Sequence, residues 1–339
     1  MPGSIPTNLP RQEQYSGCLI GQCLGDALGF VVEGYPPATC RKYVTETLRR
    51  GRAGERGSSP FPFGQYTDDS QLARELMQSY VACRKFDPVD YASRICALFA
   101  EGRIVGRGRA TTEAASRLAQ GVSWEEAGTP PPSAGNGSAM RAGPIGLFFF
   151  DDPERLIRAA HDQGRITHQD RRCSAGAVAI AGAVALALQN RPIQKDTFLS
   201  QLSEWAATIE ESVASGIQQL REWVSLPPEE AVTFISRAGM APDVSDGWEG
   251  ISPFVTASVL WSLYSFLRSP EDYWETICKA IAVGGDVDTT AAMAGAISGA
   301  YLGLKAIPSP LALRLADQGT WGFAELMELA QRCFEAKIG

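Results

Sequence analysis

The sequence predicts an all-α fold, a single bundle of many helices. Three observations predict it. Apolar residues recur at helical spacing, as in "TDDSQLARELMQSYVACRKF", where Leu72, Leu76, Tyr80 and Cys83 fall in register. Two segments, "YSGCLIGQCLGDALGFVVEG" and "AGAVAIAGAVALAL", are apolar on most sides, as central helices are. Convincing alternating strands are absent.

The elements follow in order. Residues 1–14 lack the apolar stretch of a signal peptide and are expected to be a disordered tail before a domain over 15–339. In the first central helix, Asp26 and Glu33 are seven residues apart. Seven residues are two turns, so both carboxylates share a face if the helix holds that far. A loop rich in glycine, proline and arginine follows, and the arginines between Arg41 and Arg56 read as solvated. Amphipathic helices start at Thr67 and Asp87, the second ended by Gly102. "VGRGRATTEAASRLAQG" reads as a glycine loop and a helix, and "TPPPSAGNGSAMRAGPIGLFFF" as a proline-led loop entering an apolar segment. The alanine-rich helix, a helical stretch over Lys195–Leu226 and an aromatic-rich helix after "DGWEGISPF" come next. "GGDVDTTAAMAGAISGAYLG" and "WGFAELMELAQRCFEAKI" complete the chain.

Composition narrows the function. With 339 residues, 45% of them hydrophobic, and no long linker or repeat, one large core is expected. A net charge of −7 argues against bulk attraction to nucleic acid or anionic membrane. The eight cysteines form no CxxC pair and no zinc spacing, so they read as buried free thiols in a reducing cytoplasm. The greasy run Ala175–Leu188 is too short to span a bilayer.

Two acidic patches stand out. Thr67-Asp68-Asp69 and Asp286 through Thr289 each head a helix. Each alone reads as a capped N-terminus, with aspartates at the positive end of the dipole. Together they offer only hard oxygen ligands, a set suited to Mg²⁺, Mn²⁺ or Ca²⁺ and not to zinc. Four aspartates brought together would repel and force some to protonate, a penalty that a pair of divalent cations removes. The small residues after Asp288 would let a neighbouring backbone come close and hold the patch rigid.

The loops "GRGR" (Gly106–Arg109) and "SAGNGSAMR" (Ser133–Arg141) can turn several amides one way, as phosphate-binding nests do, or be ordinary turns. Neither is a P-loop or a complete GxGxxG. His161 and His168 are as readily structural as catalytic.

These segments, in this order, resemble the ADP-ribosylglycohydrolase family. The blocks are "GCLIGQCLGDALGFVVEG", "FGQYTDDSQLA", "GNGSAMRAGPIGL" and "GGDVDTTAAMAGAISGAYLG", with "DGWEGISPFVTASVLWSLYSFL" fitting less closely. The resemblance implies an all-α orthogonal bundle with two Mg²⁺ ions, Mn²⁺ a possible substitute, at the bottom of an ADP-ribose cleft. It implies Thr67, Asp68, Asp69, Asp286, Asp288 and Thr289 as metal residues and Glu33 as the catalytic one. Gly106 and Gly108 match a loop over the diphosphate, Ser133, Gly135, Asn136 and Gly137 a second phosphate and ribose loop, and His168 a ligand contact. His161 gains no role.

The implied reaction is metal-dependent hydrolysis of the bond joining ADP-ribose to a modified protein, with ADP-ribose released. Three departures matter. Ser70 replaces a usual threonine and keeps the hydroxyl. Gly106 stands where the arginine-specific bacterial branch has an aspartate, which leans toward an O-linked, serine-type substrate. Ala134 stands where an aromatic stacks on adenine, so the base needs another partner. The alternatives are an arginine-linked hydrolase, one acting on modified nucleic acid or a small ester, a silent ADP-ribose-binding or structural relative, and a two-metal phosphohydrolase.

Overall fold

The computed structural model describes residues 9–54, 61–241 and 247–339. The expected loop residues 55–60, and residues 1–8 of the expected tail, lie outside them. The helices are α1 (Gln12–Gly29), α2 (Pro37–Tyr43), α3 (Asp68–Cys83), α4 (Pro88–Ala100), α5 (Arg109–Ala119), α6 (Gly143–Phe149), α7 (Pro153–Arg165) and α8 (Arg171–Gln189), then α9 (Lys195–Ala207), α10 (Glu211–Trp223), α11 (Pro228–Ile235), α12 (Val255–Arg268), α13 (Tyr273–Ala282), α14 (Val287–Leu302), α15 (Ser309–Ala312) and α16 (Phe323–Ile338). Among the described residues there is no strand, only isolated bridges between loops.

Local chemistry starts and stops these helices. Asp87 accepts from the amides of Val89 and Asp90, and Pro88 occupies the first turn of α4, where its missing N–H is harmless. Asp272 caps α13 through the Glu275 amide. Gly102, at φ +67°, closes the turn after α4.

The centre of the molecule is the pair α1 and α14. Gly17, Gly21, Gly25 and Gly29 lie on one stripe of α1. A Cβ on each would stand 2.3 Å from the Gly299 oxygen, 2.5 Å from the Gly295 oxygen, 2.2 Å from the Ala291 oxygen and 2.5 Å from the Asp288 Cα respectively. As one number rises the other falls, so the helices are antiparallel, with their backbones in contact. No side chain fits between them. A polar stitch joins them, Gln14 Nε2 donating to the Ala300 oxygen at 2.9 Å, and Tyr273 of α13 braces the pair by donating through Oη to the Gly21 oxygen at 2.8 Å. Alanine-rich α8 is buried along most of its length beside α14.

A buried ion pair ties the C-terminal segment to α3. Arg74 Nη1 meets Asp317 Oδ2 at 2.7 Å, the side chains being 1% and 0% exposed. Gln65 and Gln71 also donate to Asp317.

Several expectations are corrected. The first helix does not hold to Glu33. It ends at Gly29, a 3-10 turn spans Phe30–Val32, and Glu33 lies in the turn after it. Gly34, at φ +74°, turns the chain, and its amide is taken by the Gly285 oxygen at 2.8 Å. The reading of Arg41 to Arg56 as solvated loop fails at its start, where α2 and a π turn over Val44–Leu48 form. Helix α1 begins inside the expected tail, at Gln12, with Gln14 buried. Lys195–Leu226 is two helices, broken at residues 208–210. Two segments, Gln12–Val32 and Arg171–Gln189, are long and apolar enough to cross a membrane, but 89% and 83% of their apolar windows are buried within the protein. All eight cysteines are free, six of them buried.

Candidate active site

Antiparallel packing brings the C-terminal end of α1 to the N-terminal end of α14. Asp26 near the end of α1, Asp69 in the first turn of α3 and Asp288 in the first turn of α14 therefore converge, each offering an oxygen within 4.8 Å of the others. Glu33, Asp286 and Asp288 form a second group within the same limit. Asp288 belongs to both, so the two groups are continuous.

Thr67 is the N-cap of α3, accepting from the Asp69 amide at 3.4 Å. Asp286 behaves otherwise. It holds the N-cap position of α14 but makes no side-chain cap. Its Oδ2 accepts instead from Asn136 Nδ2 at 2.5 Å. A layer of loop backbone holds it there: the Asp286 amide donates to the Ile251 oxygen at 2.8 Å and the Gly285 amide to the Tyr35 oxygen at 3.0 Å. Gly285, at φ +88°, leaves no room for a side chain, since a Cβ would lie 2.1 Å from the Ile251 oxygen. Thr289 Oγ1 donates to Asp69 Oδ1 at 3.2 Å and joins the two patches directly.

Asp26 is the anchor that the sequence did not assign. The amide and hydroxyl of Thr67 donate to its Oδ1, both at 3.0 Å, and those of Ser70 to its Oδ2 at 3.1 and 2.6 Å. One buried carboxylate thus fixes the first turn of α3. Its only sequence signal is an acid inside an apolar helix. Ser70 supplies the hydroxyl expected of it.

Every carboxyl here is raised above its ordinary range, and burial is the first cause in each case. Asp26 is pushed up to about 7, against the pull of the Ser70 and Thr67 hydrogen bonds. Glu33 reaches about 7 through burial and then the charge of Asp286. Asp68, Asp69 and Asp288 stand well above the usual carboxylate range through burial and neighbouring acids, and burial raises Asp286 too. Two unit charges at 4.8 Å and an effective dielectric of about 20 repel by roughly 3.5 kcal/mol. Several such pairs cannot all stay ionised without a counter-charge.

The donor set fits hard divalent cations. All its atoms are oxygens. Asp69 Oδ2 and Asp288 Oδ1 are buried with no hydrogen-bond partner, a costly state that coordination would relieve. The N-termini of α3 and α14 both point here and offset part of the negative charge.

The glycine loop lies against Asp68. The Asp68 amide donates to the Val105 oxygen at 2.7 Å, and the Gly108 amide to Asp68 Oδ2 at 3.4 Å. Gln71 clamps the loop, donating to the Arg103 oxygen at 2.9 Å and accepting from the Val105 amide at 3.0 Å. Gly106 has φ +75°, and a Cβ there would press on Thr67 Cβ at 3.1 Å and Asp68 Oδ1 at 3.3 Å. Gly108 is the N-cap of α5, so free first-turn amides open beside the cluster.

The second loop approaches from the other side. Asn136, in a 3-10 turn over Asn136–Ser138, reaches Asp286, while its amide donates to the Pro253 oxygen at 2.9 Å. Gly135 bridges to Phe254. Ser133 is farther out, where its oxygen accepts from Cys173 Sγ. His168 is 3% exposed and turns Nε2 toward this loop: a Cβ on Gly135 would lie 3.6 Å from it, and one on Gly137 only 2.7 Å from Cε1. Burial and then the Arg141 charge hold the imidazole down at about 3, so it is neutral near pH 7. Thr167 Oγ1 contacts its Nδ1 at 2.8 Å. Arg141 itself is buried on Gln163 and Thr167, with Nη1 unpartnered. It is a second residue the sequence did not assign, a cation set beneath the loop. His161 makes no contact with this site, and its Nδ1 has no partner.

Comparison with known proteins decides the family. The family model of the ADP-ribosylglycohydrolases matches residues 7–339. The chain belongs to the ADP-ribosylglycohydrolase family. The ADP-ribosylhydrolase ARH3 of Gallus gallus is 30% identical, over 98% of this chain and 95% of its own. The ADP-ribosylarginine hydrolase Tri1 of Pseudomonas putida is 26% identical, over 97% and 80%. A solved structure described as an ADP-ribosylglycohydrolase-related protein complex superposes with a TM-score of 0.72 at 27% identity, covering 97% of this chain and 99% of its own. The fold is that of this family, and the chain is a glycosidase of the ADP-ribosyl hydrolase type.

Proposed function

We propose that this ADP-ribosylglycohydrolase uses two Mg²⁺ ions, with Mn²⁺ a substitute, to cleave the bond between ADP-ribose and an acceptor oxygen on a modified protein, serine foremost. The observation that carries this reading is the convergence of Asp26, Glu33, Asp69, Asp286 and Asp288, with two buried carboxylate oxygens left unpartnered.

The chain's own residues divide the work. Thr67, Asp68 and Asp69 would hold the ions from one side and Asp286, Asp288 and Thr289 from the other. When bound, the ions neutralise the carboxylates, polarise ribose hydroxyls and acidify an attacking water. Glu33 is the cluster's partly exposed acid, in the turn that follows the 3-10 segment. It exchanges a proton with the acceptor oxygen or the water at the anomeric carbon, where an oxocarbenium-like state forms. Backbone amides at Gly106, Gly108 and the Ser133–Gly137 loop carry the diphosphate, and neutral His168 offers Nε2 to a ligand hydroxyl. An acidic protein thereby binds an anion without many cationic side chains.

The lean toward an oxygen acceptor rests on Gly106, whose positive φ and crowding by Thr67 leave an aspartate there strained. Likeness to an ADP-ribosylarginine hydrolase favours the second reading, an arginine-linked substrate. Hydrolysis of serine-linked and arginine-linked ADP-ribosyl peptides, each with and without chelator, separates them. Release of ADP-ribose from the serine peptide, abolished by chelator and restored by Mg²⁺, is expected. Undiminished turnover after metal removal overturns the metal reading. Turnover of the arginine peptide alone overturns the linkage. ADP-ribose binding with no product would mark a silent relative.

A further inference from the structure

A recess of about 640 Å³ opens beside α2, α11, α12 and α13. None of Asp26, Glu33, Asp69, Asp286 or Asp288 lines it. Its volume falls in the range that holds a small organic ligand. The depth is apolar: Trp261 and Cys278 are each 1% exposed, and Val44 and Val283 are buried beside them.

The rim is cationic. Arg41 and Arg237 both line it, both are exposed, and neither makes an ion pair among the described residues. Arg49 and Lys279 also line it, but they share one carboxylate, Glu275, at 2.8 and 3.5 Å. Among the described residues here, Glu229 makes two carboxylates against four cations. In a chain of net charge −7 this local excess is against the average. Positive charge without partners around an apolar floor selects an anion that also carries apolar surface.

The position adds meaning. Gly250, Ser252 and Val283 form one wall. The intervening Ile251 instead bonds the active-site loop, accepting from the Asp286 amide at 2.8 Å and donating to the Gly284 oxygen at 3.0 Å. The wall of the recess and the mount of Asp286 are therefore one layer of backbone.

We propose that this recess is a second ligand site, separate from the ADP-ribose cleft, for a small anion bearing a flat apolar body. The inference does not depend on the substrate proposed above. Calorimetric titration of the full chain with 1-naphthyl phosphate tests it, with inorganic phosphate and 1-naphthol as the two halves of the probe. One-to-one binding is expected, retained under saturating ADP-ribose and stronger than for either half. In Arg41→Ala/Arg237→Ala the affinity should fall about tenfold or more, with circular dichroism unchanged. Thr233→Trp, at the exposed edge of the recess, should block binding by filling it. Absence of binding, displacement by ADP-ribose, or full affinity in both variants overturns the proposal.

Discussion

At the scale of single residues, the site is a set of acids whose charges are not balanced by protein cations. Asp286 shows the difference between capping and function: it stands where a cap belongs and its side chain is used elsewhere. Asp286→Ala and Asp288→Ala should each lower turnover by about two orders of magnitude or more, with unchanged circular dichroism. Wild-type turnover in either would remove it from the metal set. Glu33→Gln should lower kcat by about a hundredfold or more while ADP-ribose affinity holds, because shape is kept and the proton is lost. A rise in KM with kcat intact would make Glu33 a binding group instead. The raised carboxyls also set a pH dependence. Asp26 and Glu33 titrate at about 7 in the metal-free fold, against 3.8 and 4.5 in an unfolded chain. Between those limits the native state binds more protons than the unfolded one, so stability falls as pH rises. The metal-free protein should melt lower near pH 8 than near pH 5.5, and Mg²⁺ should raise Tm more at the higher pH, where the ligands are deprotonated. Melting curves with and without Mg²⁺ read this directly. A flat profile would mean that the acids are not buried together.

At the scale of elements, the site depends on backbone contact between α1 and α14. A methyl group at Gly25 meets the Ala291 oxygen at 2.2 Å, and backbone cannot move aside as a side chain can. Gly25→Ala should cost about 2 kcal/mol or more in urea unfolding and weaken Mg²⁺ binding with it, since Asp26 and Asp288 are carried by the two helices being forced apart. Gly121→Ala, in open space but at φ +87°, shows by contrast the cost of backbone strain without a clash, a strain that helical Gly25 does not carry. The helices themselves were legible in the sequence. Apolar periodicity, the Thr67 cap and the Asp87-Pro88 start mark α3 and α4 without tertiary information. The end of α1 was not. Nothing between Gly29 and Glu33 breaks a helix strongly, and the tie between Gly34 and Gly285 that redirects the chain comes from a segment some 250 residues away.

At the scale of the whole molecule, distant segments brace the loops of the site. Asp317, near the C-terminus, pairs with Arg74 and accepts from Gln71, whose amide group grips the Arg103–Val105 stretch beside Asp68. Asp317→Asn keeps the shape and removes the charge, leaving Arg74 a buried cation with one neighbouring acid, Glu75. Breaking one side of such a pair costs about 3–5 kcal/mol. Thermal or urea unfolding should show that loss, and ADP-ribose affinity should fall as the glycine loop loosens. Unchanged affinity with lowered stability would confine Asp317 to the core.

The sequence by itself determined the fold class, most helix starts, and the family, because periodicity, caps and motif order are written locally along the chain. It marked which residue types offer hard oxygen donors. Only the tertiary structure decided which of them meet. Antiparallel contact between two glycine-striped helices brings Asp26 to Asp288, and a turn beyond the end of α1, not a helix face, carries Glu33 to Asp286. Those encounters are fixed by packing between segments far apart in the chain, and no local pattern encodes them.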